Sequence, residues 1–330
     1  MNPESPAAPR EALERASELA GRMRTEIRKV FVGQESVVDQ TLVALFAAGH
    51  LLIEGVPGLG KTLLVRALAR SFSGASARIQ FTPDLMPADV VGHVMYEAAS
   101  GGMRLRRGPV FTNLLLADEI NRAPAKTQAA LLEVMQEGQV TIEGEALAVE
   151  PPFMVLATQN PVEQEGTYAL PEAQLDRFLL KVNVGYPTKD EELTILDRMA
   201  TSVPPYKTKT VATPQQVGAS RALVNSIYID PAIRKYIVQI IHTTRYPGLA
   251  DAPLKNLVRA GASPRGTINL ALTARALAFM HGRAFVTPQD VKDMALDVLR
   301  HRILLTYEAE AEEMTTDSII ERIMSKVPVP

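Results

Sequence analysis

GVPGLGKT, which runs from Gly55 to Thr62, is the stretch of sequence that decides the fold. It fits the pattern G-x-x-x-x-G-K-[ST], in which a glycine-rich turn at the start of a helix offers its backbone N–H groups to phosphates. Residues 50–54 precede it as an apolar run typical of a buried strand, and residues 63–70 continue it with a helical pattern. Strand, glycine loop and helix in this order predict a site for a nucleoside triphosphate, in which Lys61 reaches the β- and γ-phosphates and Thr62 binds Mg²⁺.

Strand-like and helix-like segments alternate on both sides of this loop. Apolar runs typical of strands occur at 51–54, 78–81, 114–118, 153–158 and 178–182. Helical patterns occupy residues 13–27, 35–48 and 124–137. This alternation predicts an α/β fold, in which a parallel sheet is covered by helices on both faces. Ligands of such sheets bind at the carboxyl ends of the strands, where the glycine loop is expected to lie.

Two short hairpins are predicted to interrupt this pattern. The first covers residues 94–107 and turns at Ala99-Ser100-Gly101-Gly102, and the second covers residues 139–149 and turns at Glu143-Gly144-Glu145.

The character of the chain changes after Pro187, where helix signals replace strand runs. Thr213-Pro214, Ser263-Pro264 and Thr287-Pro288 each place an N-cap residue before a proline at the first helical position. We therefore expect three parts: a disordered leader at 1–10, an α/β nucleotide-binding core at 11–188, and a helical lid at 189–330 that includes a connection at 201–213.

Composition limits the classes of function. The chain has 330 residues, 46% of them hydrophobic, with a net charge of −2 and no cysteine. Disulfides and thiolate metal sites are excluded, and a cytoplasmic location is expected because the composition fits a reducing compartment. The charge argues against a generally basic surface for nucleic acid. No apolar run approaches the roughly 18 residues of a transmembrane helix.

Polar residues follow the predicted strands where a bound phosphate would lie. Asp118 and Glu119 end the apolar run at 114–117, so Asp118 is predicted to hold Mg²⁺ through water and Glu119 to activate the attacking water. Asn160 follows the next strand and is predicted to position the water or to sense the γ-phosphate. Its alternative role is to open an Asn-Pro turn.

Two arginines are candidates for stabilising charge on the transferred phosphoryl group. Arg177 precedes the last predicted strand, and Arg265 opens a helix of the lid. The alternative for each of them is a surface salt bridge.

Taken together, these motifs show that the chain from about residue 30 to residue 300 resembles the MoxR family of AAA+ ATPases. The residues that carry the resemblance are Val32-Gly33-Gln34-Glu35, the GVPGLGKT loop, Gly108-Pro109-Val110-Phe111, LLLADEINRAP (114–124), ALLEVMQEGQVTIEG (130–144), ATQNP (157–161), LPEAQLDRF (170–178) and Gly261-Ala262-Ser263-Pro264-Arg265-Gly266.

The resemblance implies an AAA+ P-loop NTPase core with an all-helical C-terminal lid domain, and it implies roles for individual residues. Lys61 and Thr62 become Walker A, and Asp118 and Glu119 become Walker B. Asn160 becomes sensor 1 and Arg265 sensor 2, both reading the γ-phosphate in their own subunit, whereas Arg177 becomes an arginine finger for the neighbouring subunit. The implied nucleotide contacts are Val32, Gly33, Gln34, Gly55, Val56, Pro57, Gly58, Leu59, Gly60, Lys61, Thr62, Leu63 and Asp118, of which the first three would line the adenine pocket.

The resemblance also implies partners: a homo-oligomeric ring, usually a hexamer, in which ATP and Mg²⁺ bind at subunit interfaces. The hairpins become the helix-2 insert and the pre-sensor-1 hairpin, which project toward the pore in relatives, and Arg122 is a further candidate for a neighbour's site. Family members are thought to be ATP-driven remodelling chaperones that mature a client complex with a von Willebrand A-domain protein, here a separate partner because the chain has no D-x-S-x-S motif.

Two alternatives remain at this point. A nucleic-acid motor is favoured by Arg104, Arg106 and Arg107 in the first hairpin. It is opposed by Glu137, Glu143 and Glu145 around the second hairpin, because carboxylates repel phosphates. The other alternative is a nucleotide-gated scaffold with little turnover.

Overall fold

The computed structural model describes residues 10–56, 58–97, 101–160, 167–200, 207–249 and 251–330. The predicted leader at 1–10 lies outside them except for Arg10, and so do Pro57, the first residues of the predicted turn at 99–102, Pro161 and the first half of the predicted connection at 201–213.

The strands within the described residues have the following bounds: β1 Leu51–Glu54, β2 Ser76–Gln80, β3 Gly92–Glu97, β4 Gly102–Arg107, β5 Leu114–Asp118, β6 Gln139–Ile142, β7 Glu145–Ala148, β8 Met154–Gln159, β9 Leu180–Asn183, β10 Val258–Ala260 and β11 Leu304–Leu305. The α-helices are α1 Arg10–Val30, α2 Glu35–Phe46, α3 Lys61–Ser71, α4 Pro87–Val91, α5 Ala125–Glu137, α6 Glu172–Leu175, α7 Lys189–Met199, α8 Pro214–Ser226, α9 Pro231–Arg245, α10 Pro264–Met280, α11 Pro288–Leu299, α12 Tyr307–Ala311 and α13 Thr316–Lys326. Short 3₁₀ turns occupy Ile120–Arg122, Pro247–Leu249 and Ala252–Asn256.

A parallel sheet organises the first part of the molecule. Its strand order is β2-β5-β8-β1-β9, and every pair in it runs in the same direction. The inner strands β5, β8 and β1 are almost wholly buried, because helices cover both faces and each face needs apolar side chains. The predicted strands are confirmed with ends shifted by up to two residues, and both predicted hairpins form, as β3–β4 and β6–β7.

Side chains alternate between two apolar clusters, one on each face of the sheet. Along β5, for example, Leu114 and Leu116 enter one cluster and Leu115 and Ala117 the other, as the two-residue period of a strand requires. The first cluster also contains residues of α1, α2, α3 and the C-terminal helices, and the second contains α5 and the hairpins. The lid therefore packs on one face of the sheet and shares a core with it, which the Phe46–Phe279 ring contact at 5.2 Å illustrates.

The C-terminal region is helical as predicted, with one short two-stranded ladder between β10 and β11. Thr213, Ser263 and Thr287 cap α8, α10 and α11, each accepting a backbone hydrogen bond from the first turn of its helix. The ladder gave no signal in the sequence, because strands of three and two residues are too short to show an alternating pattern. Among the helices described, none is both long and apolar enough to cross a membrane.

Two histidines, the partly buried His50 and the buried His301, join elements at the amino-terminal edge of the sheet. The Nδ1 atom of His50 accepts a hydrogen bond from the Val155 N–H at 3.0 Å, and its Nε2 atom lies 2.9 Å from the Met135 carbonyl oxygen, so Nε2 carries the proton. In the lid, His301 Nε2 lies 3.2 Å from the Phe178 carbonyl oxygen. Burial lowers the pKa of His50 to about 4 and holds the pKa of His301 well below its usual range.

These histidines should make folding sensitive to mild acid. The unfolded chain binds a proton on each of them below about pH 6.5, whereas folded His50 does so only near pH 4 and folded His301 only well below its usual range. The free energy of unfolding should thus be highest above pH ~6.5 and should fall between pH ~6.5 and ~4. His50 alone should account for roughly 3 kcal/mol of this fall. Chemical denaturation at several pH values measures this slope. His50→Asn keeps an acceptor for Val155 and should flatten it, whereas the exposed control His242→Asn should not. Equal slopes in the two variants would contradict the assignment.

Candidate functional site

The glycine loop lies between β1 and α3 at the carboxyl-terminal edge of the sheet. Its backbone requires glycine at three points. A side chain at Gly55 would meet the Val184 carbonyl oxygen at 2.6 Å, whereas Gly58 and Gly60 have φ angles of +89° and +75°. The space where a Cβ of Gly58 would lie is open within 4 Å. Positive φ angles next to a helix N-terminus turn backbone N–H groups toward a common point, which suits a phosphate.

Lys61 begins α3 and turns back into the loop, where its Nζ donates to the Gly55 carbonyl oxygen at 2.8 Å. Burial holds the pKa of Lys61 below its ordinary value, while the nearby charges of Asp118 and Glu119 oppose that shift. The ammonium group is therefore held beside two carboxylates in a partly desolvated site, where its attraction to an anion is stronger than in water.

One pocket of about 230 Å³ brings the predicted phosphate-site residues together. It is lined by Gly58, Gly60, Lys61, Thr62, Asp118, Glu119 and Asn160, and also by Arg78 and Gln80. Asn160 is 7% exposed and directly follows β8, so the parallel strands deliver all the polar groups to the same edge. Arg78 and Gln80 were missed in the sequence, although their spacing of two on β2 does indicate a shared face.

Arg78 and Thr158 hold the carboxylate of Asp118. Arg78 donates to Oδ2 from Nη2 at 2.7 Å and from Nε at 3.2 Å, and the Thr158 hydroxyl donates to Oδ1 at 2.6 Å. Thr158 lies on β8 beside the end of β5, and it is fully buried. Its role depends on the pairing of β5 with β8, which the sequence does not reveal.

Glu119 is held in an equally specific way. Its Oε2 accepts from Gln80 Nε2 at 2.9 Å and from Arg122 Nη1 at 3.0 Å, and its backbone N–H donates to the Thr158 hydroxyl at 2.8 Å. The residue has φ +54°, a left-handed conformation that costs a non-glycine residue free energy and is concentrated at functional sites. Arg122, predicted as a candidate for a neighbour's site, contacts its own chain's Glu119 here.

A second, more apolar pocket of about 230 Å³ adjoins the loop and shares Gly58 and Gly60 with the first. The predicted residues Val32, Gln34, Leu59 and Leu63 line it, together with Val30, Phe31, Pro187, Ile195 and Met199, which the sequence did not single out. Its side chains are apolar except for Gln34, and such a mainly apolar lining with a polar group suits an adenine ring.

The turn at Gly33 and Gln34 is fixed by Glu191 of α7. The backbone N–H of Gln34 donates to Glu191 Oε1 at 3.2 Å, and the side-chain Nε2 of Gln34 donates to the Gly185 carbonyl oxygen at 2.7 Å. A side chain at Gly33 would meet the Glu191 carboxyl carbon at 2.8 Å. Gly33, Gly55 and Val56 line neither pocket and contribute backbone conformation.

Arg177 and Arg265 lie together, away from the glycine loop. They line a separate pocket of about 180 Å³ with Met135, Gln136, Asp176, Ile268 and Asn269. Arg177 Nη1 donates to the Leu132 carbonyl oxygen at 2.9 Å, and Arg265 Nη1 lies 3.9 Å from Asp176 Oδ2.

This position corrects the prediction that Arg265 reads the γ-phosphate of its own chain. Arg177 precedes β9, whereas the loop follows β1, and β1 and β9 are parallel with Leu51 beside Leu180. The two features therefore lie at opposite edges of the sheet, separated by a four-residue strand of about 13 Å. The lid packs on a face of the sheet. The start of α10 therefore lies at the amino ends of the strands beside Arg177, and not at the carboxyl ends beside the glycine loop.

Two of the three hairpin arginines, Arg104 and Arg107, have side-chain contacts within the first hairpin region. Arg104 pairs with Glu97 at 2.8 Å, and the Arg107 guanidinium lies 5.1 Å from the centre of the Phe111 ring. Glu137, Glu143 and Glu145 around the second hairpin are exposed.

Comparisons with known proteins agree with the fold of the core and the lid. The family described as "ATPase family associated with various cellular activities (AAA)" matches residues 50–180, and the AAA lid domain matches residues 254–323. Chaperone MoxR1 of Mycobacterium tuberculosis is 46% identical over 92% of this chain and 81% of its own length. Protein MoxR of Methylorubrum extorquens is 33% identical over 94% of this chain and 95% of its own. The crystal structure of a candidate ATPase from Cytophaga hutchinsonii has a TM-score of 0.92 and 43% identity over 97% of both chains.

The Thr158 hydroxyl should be needed both for stability and for a competent site. Thr158→Val keeps the shape but leaves the Glu119 N–H and one oxygen of Asp118 without their partner. We expect the free energy of unfolding to fall by about 1–3 kcal/mol and Mg²⁺-nucleotide binding to weaken. Denaturation and a nucleotide titration measure the two effects. Thr158→Ser keeps the hydroxyl and is the matched control; a valine variant that behaves like the serine variant would exclude this role.

Proposed function

Because the chain belongs to the MoxR family of AAA+ ATPases, we propose that it is a Mg²⁺-dependent ATPase that works as a ring-forming remodelling chaperone on a client protein complex. One observation carries the proposal: Lys61, Thr62, Asp118, Glu119 and Asn160 surround a single pocket at the carboxyl-terminal edge of the sheet. We take residues 11–188 as its nucleotide-binding core and residues 189–330 as its lid.

The residues around the loop fit ATP and Mg²⁺. The Thr62 hydroxyl and the Asp118 carboxylate are hard oxygen donors, which Mg²⁺ prefers, and a nucleotide would supply phosphate oxygens beside them. Bound Mg²⁺ would neutralise charge that develops on the phosphates. Lys61 and the N–H groups of the loop bind the phosphates, and the second pocket takes the adenine.

The chain's own groups handle the attacking water. Glu119 accepts its proton, and Asn160 orients it next to the phosphate. In the structure Asp118 pairs with Arg78, and Glu119 accepts from Gln80 and Arg122. Asp118 would have to exchange Arg78 for the metal, and Glu119 would have to exchange its partners for the water. Arg78 and Gln80 thereby connect the occupancy of the site to strand β2.

Arg177 and Arg265 act on the nucleotide of a neighbouring subunit. Their position at the opposite edge of the sheet supports this assignment, because they are remote from the loop of their own chain. A contact between one edge and the other edge of the next copy is heterologous, and such contacts form a ring when the rotation between copies closes. We propose a hexamer, as in the family generally.

The client side of the proposal rests on the family. We propose a separate von Willebrand A-domain partner, a cytoplasmic location, and transmission of motion through the two hairpins. Engagement of Arg104 and Arg107 within their own hairpin region supports a protein client over nucleic acid, as do the exposed carboxylates of the second hairpin. The left-handed backbone of Glu119 and the hydrogen bonds that hold its Oε2 beside the pocket support turnover over a passive scaffold.

Glu119→Gln should separate binding from hydrolysis. The amide keeps the size of the side chain but accepts no proton, so we expect unchanged ATP affinity and a loss of turnover of about 10²–10⁴-fold. Phosphate release and a fluorescent-nucleotide titration measure the two. Glu133→Gln, an exposed position on α5, is the control. Full turnover in the Glu119 variant would overturn the assigned base.

Specific ATPase activity should rise with protein concentration as subunits assemble. Arg177→Ala and Arg265→Ala should each lower turnover, for the finger by roughly 10³–10⁵-fold, while each variant still binds ATP. Turnover measured across a dilution series together with the molecular mass in solution tests this. Activity that stays flat down to the monomer would show that the arginines do not act between subunits.

A further inference from the structure

The lid and the sheet meet at the carboxylate of Asp176, immediately before Arg177. Arg302, which follows α11, donates from Nε to Asp176 Oδ1 at 2.8 Å. Ser263, at the start of α10, donates its hydroxyl to Oδ2 at 2.8 Å. Arg265 Nη1 lies 3.9 Å from the same oxygen. Three lid residues from two separate segments thus converge on one side chain of the core.

Arg302 makes this junction rigid. Its side chain is 1% exposed, and each of its five N–H groups donates a hydrogen bond. The acceptors are Asp176 Oδ1 and the carbonyl oxygens of Asp176, Phe178, Leu179 and Val298. Burial lowers the pKa of Arg302 to about 10 against the effect of Asp176, so the group stays charged at neutral pH. A buried cation needs its counter-charge, and Asp176 supplies it.

Ser263 extends the junction to the other arginine. Its hydroxyl caps α10 by accepting the Arg265 N–H at 3.1 Å while it donates to Asp176. A single hydrogen bond, from the Ser263 hydroxyl to Asp176, therefore links the turn that carries Arg265 to the residue before Arg177. The placement of both arginines depends on the same carboxylate.

We propose that Asp176 is a positioning residue that holds Arg177 and Arg265 as one rigid pair for the neighbouring subunit's nucleotide. This inference rests on the proposed action of the arginines between subunits. It adds a mechanical consequence: the lid and the arginine finger move together, since Arg302 and Ser263 join the lid to the backbone of the finger. The lid of one subunit then sets the geometry at the active site of the next.

Asp176→Asn tests the role with little change of shape. The amide keeps one oxygen acceptor but removes the charge opposite Arg302. We expect turnover to fall by about 10²-fold, the scale of a misplacement of about 1 Å in a catalytic group. The ATP affinity of the variant should stay the same, because its own glycine loop lies at the far edge of the sheet.

Mixed rings distinguish positioning from a general structural defect. Asp176→Asn retains an intact loop site but misplaces its arginines, whereas Glu119→Gln retains its arginines but lacks its base. In an equal mixture, about a quarter of head-to-tail interfaces would combine the intact loop of one variant with the intact arginines of the other. ATPase activity of the mixture should therefore exceed that of both variants alone. A merely misfolded subunit would give no such recovery.

One further mixture decides the outcome. Arg177→Ala mixed with Glu119→Gln tests the action between subunits by itself. Recovery there without recovery for Asp176→Asn would overturn the positioning role and leave the proposed function standing. No recovery in either mixture would overturn both.

Ser263→Ala keeps the test decisive if the asparagine variant fails to fold. It removes one link to Asp176 and should lower turnover less, again with recovery in mixed rings. The matched control is Thr213→Ala, which removes the cap of α8 without touching Asp176. Equal turnover in these two alanine variants would also overturn the inference.

Discussion

The shared direction of the sheet strands is the constraint on which the rest of the structure depends. Since β1, β5 and β8 point the same way, their carboxyl ends bring the glycine loop, Asp118, Glu119 and Asn160 to one edge. The same rule sends Asp176 and Arg177, which precede β9, to the other edge. One chain thus carries a phosphate site and a pair of arginines that it cannot bring together without breaking its sheet. In the proposed ring, a second copy related by a rotation would resolve this separation.

Much of this could be predicted from the sequence, because the decisive signals are local. Buried parallel strands are continuous apolar runs, so β1, β5 and β8 were visible within a residue or two, and the carboxylates at the end of β5 followed from them. Arg78, Gln80 and Thr158 were not visible as site residues. Their contacts cross from β2 to β5 and from β8 to β5, and strand order is a long-range property that no window of sequence contains.

The lid shows the same limit at a larger scale. The starts of three lid helices could be predicted from their N-cap residues Thr213, Ser263 and Thr287, because an N-cap is a contact within one turn. Where those helices pack is decided by apolar surfaces that many partners would satisfy. The lid in fact shares a core with α1, α2 and α3 on one face of the sheet. With this placement Arg265 lies beside Arg177 and not at its own chain's phosphate site.

The two edges of the sheet also differ in how firmly their charges are held. Arg78 is half exposed where it pairs with Asp118, and such pairs contribute about 0–1 kcal/mol, so a bound metal and nucleotide would displace it with little loss of stability. Arg302 and Asp176 are 1% and 17% exposed, and removing one partner of a buried pair costs about 3–5 kcal/mol. The carboxylates at the phosphate edge can thus exchange partners with little loss of stability, whereas Asp176, which precedes the finger, cannot. The proposed ATPase cycle would need this difference, because the phosphate site would change its contacts at every turnover while the proposed finger would keep its geometry.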